Sequence, residues 1–122
     1  MKLHASANSA INLVTALEPK QIFVNGIGYK DTLIVLPNRV ISGWTPRTPE
    51  SLEVQDFETL CALECPIILL GTGMKQLFPA SNLLRPLSGT RTGLEVMSTA
   101  AACRTYNILA GEGRKVAAAL LF

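Results

Sequence analysis

The chain has 122 residues, 48% of them apolar and 16% charged, with mean hydropathy +0.31. That length fits a single domain over residues 1–122 with one real core, and the apolar content excludes a disordered chain. A formal net charge of +2 and an aromatic content of 6% argue against a nucleic-acid partner, which calls for a basic footprint or a stacking platform.

Residues 1–17 are polar and rich in small side chains, then give way to an apolar stretch. The alternation in QIFVN predicts a strand over residues 20–25, Asn25-Gly26 a tight turn, and residues 27–30 a second strand. The continuous apolar run TLIVL over 32–36 predicts a buried strand. Pro37-Asn38 turns the chain and RVISGW over 39–44 returns it, so the first third reads as an antiparallel meander.

The pattern then changes. Thr48-Pro49-Glu50 has the signs of a helix start, with a capping threonine, a proline at the first helical position and an acid in the first turn. The helix is expected to run to about Leu63, with Leu52, Phe57, Leu60, Cys61 and Leu63 on its buried face. PIILL over 66–70 predicts a buried strand ending in Gly71-Thr72-Gly73, and residues 81–87 a short helix weakened by Pro86. A strand over 93–97 leads to a helix capped by Ser98 or Thr99 and ended by Gly111 and Gly113. Residues 115–122 form a last apolar strand. This α-β-α-β-α-β order implies crossovers and a largely parallel sheet. The expected fold is a single α/β domain: a mixed sheet with flanking helices and an antiparallel N-terminal section.

Charge is unevenly spread. Glu50, Glu53, Asp56, Glu58 and Glu64 fall in a stretch without Lys or Arg, and Lys75, Arg85, Arg91, Arg104, Arg114 and Lys115 follow against only Glu95 and Glu112. The two halves read either as solvated faces or as an acidic helix beside a basic frame for an anion. No run of about 18 apolar residues suggests a transmembrane segment. No secretory or mitochondrial leader is expected, since Lys2 and His4 precede no apolar core and the first arginine is Arg39. Cys61, Cys65 and Cys103, an odd number, read as free thiols in a reducing compartment, the cytoplasm of a bacterium.

Ligands of open α/β sheets bind beyond the C-terminal ends of parallel strands. Two such ends are legible, at Gly71-Thr72-Gly73 and at Ser98-Thr99, and neighbouring strands would face them into one crevice. The glycine loop fits neither a dinucleotide fingerprint, whose third glycine is replaced by Gln76, nor a P-loop, so a tight turn competes with a ligand loop. The helix start is rich in alanine and leaves backbone N–H groups uncovered at its positive end. Arg104 and Asn107 share a face with Ala100, and Arg104 could hold a carboxylate or phosphate or pair with a structural acid. Gly71, Thr72, Gly73, Ser98, Thr99, Arg104, Tyr106 and Asn107 are thus the candidate ligand-binding residues.

Catalytic machinery is thin. The one histidine, His4, stands near the terminus, away in sequence from Ser98 and Cys103. Cys61 and Cys65 could present two thiolates from one helix, but no second pair completes a metal site. Cys103 beside Arg104 could be activated or could be a buried inert thiol. Trp44 and Tyr106 read as packing groups. No cofactor, metal or catalytic residue is assigned.

Taken in order, GTG at 71–73, GLEVM at 93–97, AACRTYN at 101–107, EGR at 112–114 and the apolar run at 116–120, with Tyr29 and Trp44 upstream, resemble a domain-of-unknown-function family. Its members include a mitochondrial respiratory complex I assembly factor and an adipogenesis-associated protein. The resemblance covers nearly the whole chain and implies a compact α/β domain with no established activity in bacterial members. Many relatives carry an aspartate where this chain has Ser98, which keeps the capping role and puts an obligatory acid in doubt. The resemblance favours a non-enzymatic binding or assembly-type protein with a protein partner. The alternative is a binder or enzyme of a small anionic ligand at the Gly71 and Ser98 crevice.

Overall fold

The computed structural model describes residues 11–44 and 46–122. Among them the strands are β1 (Val14–Glu18), β2 (Gln21–Val24), β3 (Ile27–Tyr29), β4 (Leu33–Leu36), β5 (Arg39–Ser42), β6 (Ile67–Thr72), β7 (Gly93–Met97) and β8 (Val116–Leu121). The α-helices are α1 (Val54–Cys61) and α2 (Thr99–Gly111), with 3₁₀ turns at Pro49–Ser51 and Ser81–Leu87. The strands form a three-stranded antiparallel sheet, β1-β2-β3, and a five-stranded mixed sheet of order β5-β4-β8-β6-β7. In the larger sheet β4 is antiparallel to β5 and β8, while β6 is parallel to β7 and β8.

The apolar runs explain the centre of this sheet. A strand covered on both faces has no polar side to show, so it is apolar at successive positions rather than at alternate ones. VAAALL in β8 and LIVL in β4 are buried throughout. Alternation then sorts their side chains between two cores. Leu33, Val35, Val116, Ala118 and Leu120 face α2 and the small sheet, joining Ala102, Cys103, Tyr106, Ile22 and Val24. Ile34, Leu36, Ala117, Ala119 and Leu121 face α1, joining Phe57, Leu60, Ile68, Leu70 and Trp44. The architecture is a mixed sheet covered on both faces, as the sequence led us to expect.

Five details differ from that expectation. β1 lies in the stretch left without an element, because only Val14 of its five residues is buried and the strand has no apolar signature. The antiparallel section is not one meander. Among the described residues β3 pairs only with β2, and the chain leaves the small sheet at residues 30–32 to enter the larger one as β4. The helix expected over 48–63 is broken. Leu52 and Glu53 are extended between the 3₁₀ turn and α1, which lets Leu52 turn into the core. The Asp56 carboxylate accepts the Glu53 N–H at 2.8 Å and so opens a second helix start. Finally, α1 ends at Cys61, and Glu64 adopts a positive φ of 54° before β6, so Cys61 and Cys65 do not share a helix. The segment over 81–87 is 3₁₀ rather than α, with Pro86 inside it lacking an N–H. Asn25 and Gly26 have φ of 51° and 81°, the paired positive values of a tight hairpin turn.

Candidate functional site

The ends of β6 and β7 lie side by side, since Gly71 is in register with Met97. The loops that follow are fastened to each other. The Thr99 N–H donates to the Gly73 carbonyl at 2.8 Å, and the Gly73 N–H donates to Thr99 Oγ1, also at 2.8 Å. The Thr99 hydroxyl in turn donates to the Leu121 carbonyl, so one buried side chain ties the ends of β6 and β8 to the start of α2. Thr72 does the same for its own loop. Its hydroxyl accepts the Leu77 N–H at 3.0 Å and shares its proton between the carbonyls of Lys75 and Met97. Ser98 caps α2, its Oγ accepting the Ala101 N–H at 3.2 Å.

The two glycines serve different ends. Gly73 has φ of 97° with open space where a Cβ would be, a requirement of the turn. Gly71 sits where β6 passes under α2, and a Cβ there would stand 2.9 Å from Thr99 Cα. Close approach, rather than a turn, requires that glycine.

The remaining candidates lie along α2. Tyr106 is fully buried and its hydroxyl donates to the Asn12 carbonyl at 2.8 Å, so it faces the core rather than the crevice. Asn107 holds the backbone of Val14 in β1 through both ends of its amide. Arg104 is exposed, and among the described residues no acid pairs with it. It lines a shallow groove of about 200 Å³ between α2 and β1, with Ala100, Cys103, Asn107 and residues 14–17. A second, larger pocket of about 430 Å³ opens beside it, lined by Leu17, Glu18, Pro19, Gly73, Met74, Thr99, Ala100 and Phe122. Ala100 belongs to both. Gly73 and Thr99 therefore border one hollow and Arg104 and Asn107 the other, while Gly71, Thr72, Ser98 and Tyr106 line neither. The walls contributed by Leu17, Glu18 and Pro19 escaped sequence reasoning along with β1, and Phe122 gave no signal beyond ending an apolar strand.

The thiols are quiet. Burial pushes the Cys103 thiol up to about 11, against the weaker opposite pull of Arg104, so the neighbouring guanidinium does not activate it. Burial also raises Cys61, with Glu58 adding to the effect, and raises Cys65. Trp44 is buried against the α1 core, and its Nε1 has no hydrogen-bond partner among the described residues. Among the described residues no cluster of three or more His, Cys, Asp or Glu could hold a metal ion. His4 lies outside them.

Comparison with known proteins places this geometry. Residues 14–121 match the model of a family described as a protein of unknown function (DUF498/DUF598). The chain belongs to this family. Among solved structures, a Bordetella parapertussis protein is 34% identical, with a TM-score of 0.84 covering 92% of this chain and 96% of that one. A Bordetella pertussis protein described as a Mth938-like domain is 31% identical, with a TM-score of 0.83 covering 99% and 92%. Among curated relatives, a 13 kDa major membrane protein of Francisella tularensis is 31% identical over 59% of this chain and 58% of its own length. The NADH dehydrogenase [ubiquinone] 1 alpha subcomplex assembly factor 3 of Danio rerio is 28% identical over 93% of this chain and 66% of its own. The chain thus spans less than two thirds of the length of these relatives. No helix among the described residues is long and apolar enough to cross a membrane.

Proposed function

We propose that the chain is a non-enzymatic binding or assembly-type protein whose work is to engage another protein. The observation that carries this reading is the likeness to an NADH dehydrogenase assembly factor along 93% of the chain. The site geometry supports it. The hydroxyls of Thr72 and Thr99, the polar side chains nearest the strand ends, are spent on holding loops together. The free thiols of Cys61, Cys65 and Cys103 suit a reducing compartment, and we place the protein in the cytoplasm. The test is affinity purification from the native host with and without crosslinking. A polypeptide recovered in stoichiometric amount is the expected result; the chain emerging alone under both conditions would overturn it.

A second reading rests on Arg104. An exposed guanidinium without an acid partner among the described residues, on a groove beside Ala100 and Asn107, suits a small carboxylate or phosphate. Thermal shift against a panel of anionic metabolites tests it. A ligand at a hundred times its Kd should stabilise the wild type by about 2.7 kcal/mol and leave Arg104→Ala unmoved. No shift across the panel removes this reading.

A further inference from the structure

The connection after β6 carries apolar side chains that the core does not use. Met74 is 98% exposed, Phe78 72% and Leu77 41%. Exposed apolar residues scattered singly call for no explanation, but three within five residues of one loop form a patch. This loop is not loosely held. The Thr72 hydroxyl receives the Leu77 N–H, and the Gln76 amide donates to the Val96 carbonyl at 2.9 Å, so the base of the loop is fixed to β6 and β7. Its apolar side chains are presented outward from a firm support.

The patch extends sideways. Met74 shares the 430 Å³ pocket with Leu17 of β1, Pro19 of the β1–β2 turn and Phe122 after β8. Exposed lysines stand next to both contributors: Lys75 follows Met74 and Lys20 follows Pro19. Among the described residues Glu18 is the one acid on the pocket wall.

We propose that this end of the molecule docks on an anionic lipid bilayer. Met74, Leu77 and Phe78 enter the interfacial zone, and Lys75 and Lys20 meet the headgroup phosphates. The shape of the patch favours a bilayer over a folded protein. Met74 and Phe78 protrude as knobs, and a protein surface would need a fitted socket for each. The interface of a bilayer accepts apolar knobs without one, and adjacent lysines add attraction to anionic lipid that decays within a Debye length.

Flotation of the full chain with phosphatidylcholine vesicles, with and without phosphatidylglycerol, tests this. The wild type should float with the mixed vesicles at low salt, less at high salt, and weakly with phosphatidylcholine alone. Met74→Asp combined with Phe78→Asp should lower the bound fraction at least about tenfold, because each carboxylate would have to enter the apolar zone. Lys75→Glu should cut binding to the anionic vesicles alone. Both side chains of the double variant are exposed, so its circular dichroism and melting curve should match the wild type. Wild type left unfloated with mixed vesicles at low salt would overturn the proposal and assign the patch to a protein partner. So would a folded double variant that binds like wild type.

Discussion

Asn107 holds Val14 by both ends of its amide: Oδ1 accepts the Val14 N–H at 2.8 Å, and Nδ2 donates to the Val14 carbonyl at 2.7 Å. A side chain on α2 thereby acts as the strand partner of a residue 93 positions earlier. It docks β1, whose outward residues contribute little burial of their own, and so shapes the groove beside Arg104.

Asn107→Ala should therefore destabilise the fold by about 1–3 kcal/mol, since it strands two half-buried backbone groups. The loss should appear as a lower urea midpoint. Amide exchange at Val14 should quicken more than in β6 or β8. Asn107→Asp should restore little, because a carboxylate can accept from the Val14 N–H but cannot donate to its carbonyl.

Gly71 and Gly73 should respond differently to alanine. Gly71→Ala sets a methyl 2.9 Å from the Thr99 backbone, which forces β6 and α2 apart and should cost about 1–3 kcal/mol. Gly73→Ala meets no atom and bears only the strain of positive φ, about 1–2 kcal/mol. Thermal unfolding reads both. Chemical-shift changes should spread along α2 for Gly71→Ala and stay within residues 72–77 for Gly73→Ala.

Thr99→Val keeps the shape and removes the hydroxyl that serves Gly73 and Leu121. Two backbone groups lose their partner, and a loss of about 1–3 kcal/mol is expected in denaturant titration. Thr99→Ser retains the hydroxyl and should recover most of it. A loss for Thr99→Ser as large as that for Thr99→Val would show that the methyl matters as much as the hydroxyl.

Alkaline pH should destabilise the protein. The Cys103 thiol rises from 9.0 to about 11 in the fold through burial, so between those values the unfolded chain gives up a proton that the folded chain keeps. Unfolding free energy then falls with rising pH. A shift of that size corresponds to at most about 3 kcal/mol, complete once pH passes the folded value. Tyr106, also raised by burial, adds in the same direction above its ordinary range. Urea unfolding from neutral to alkaline pH should show the decline, with a shallower slope in Cys103→Ala. Native Cys103 should also resist iodoacetamide at mildly alkaline pH, where the unfolded chain reacts.

Much of this protein is determined by local chemistry. PIILL, TLIVL and the run at 116–121 read as buried strands because a strand covered on both faces needs apolar side chains at successive positions. Asn25-Gly26 and Ser98 could be read because a turn and a cap satisfy their requirements within four residues. The meeting of Gly71-Thr72-Gly73 with Ser98-Thr99 follows from the rule that neighbouring parallel strands end together. Tertiary structure decided the rest. β1 exists because β2 and Asn107 supply its hydrogen bonds, not because its own residues demand burial. β8, last in sequence, takes the centre of the sheet because its alanines and leucines fit between two cores. Gly71 is required by a helix some 28 residues away, counted to Thr99, whose approach no local pattern encodes. The same holds for the hollows. Leu17, Pro19, Met74 and Phe122 meet at one pocket only because three distant parts of the chain converge at one end of the sheet.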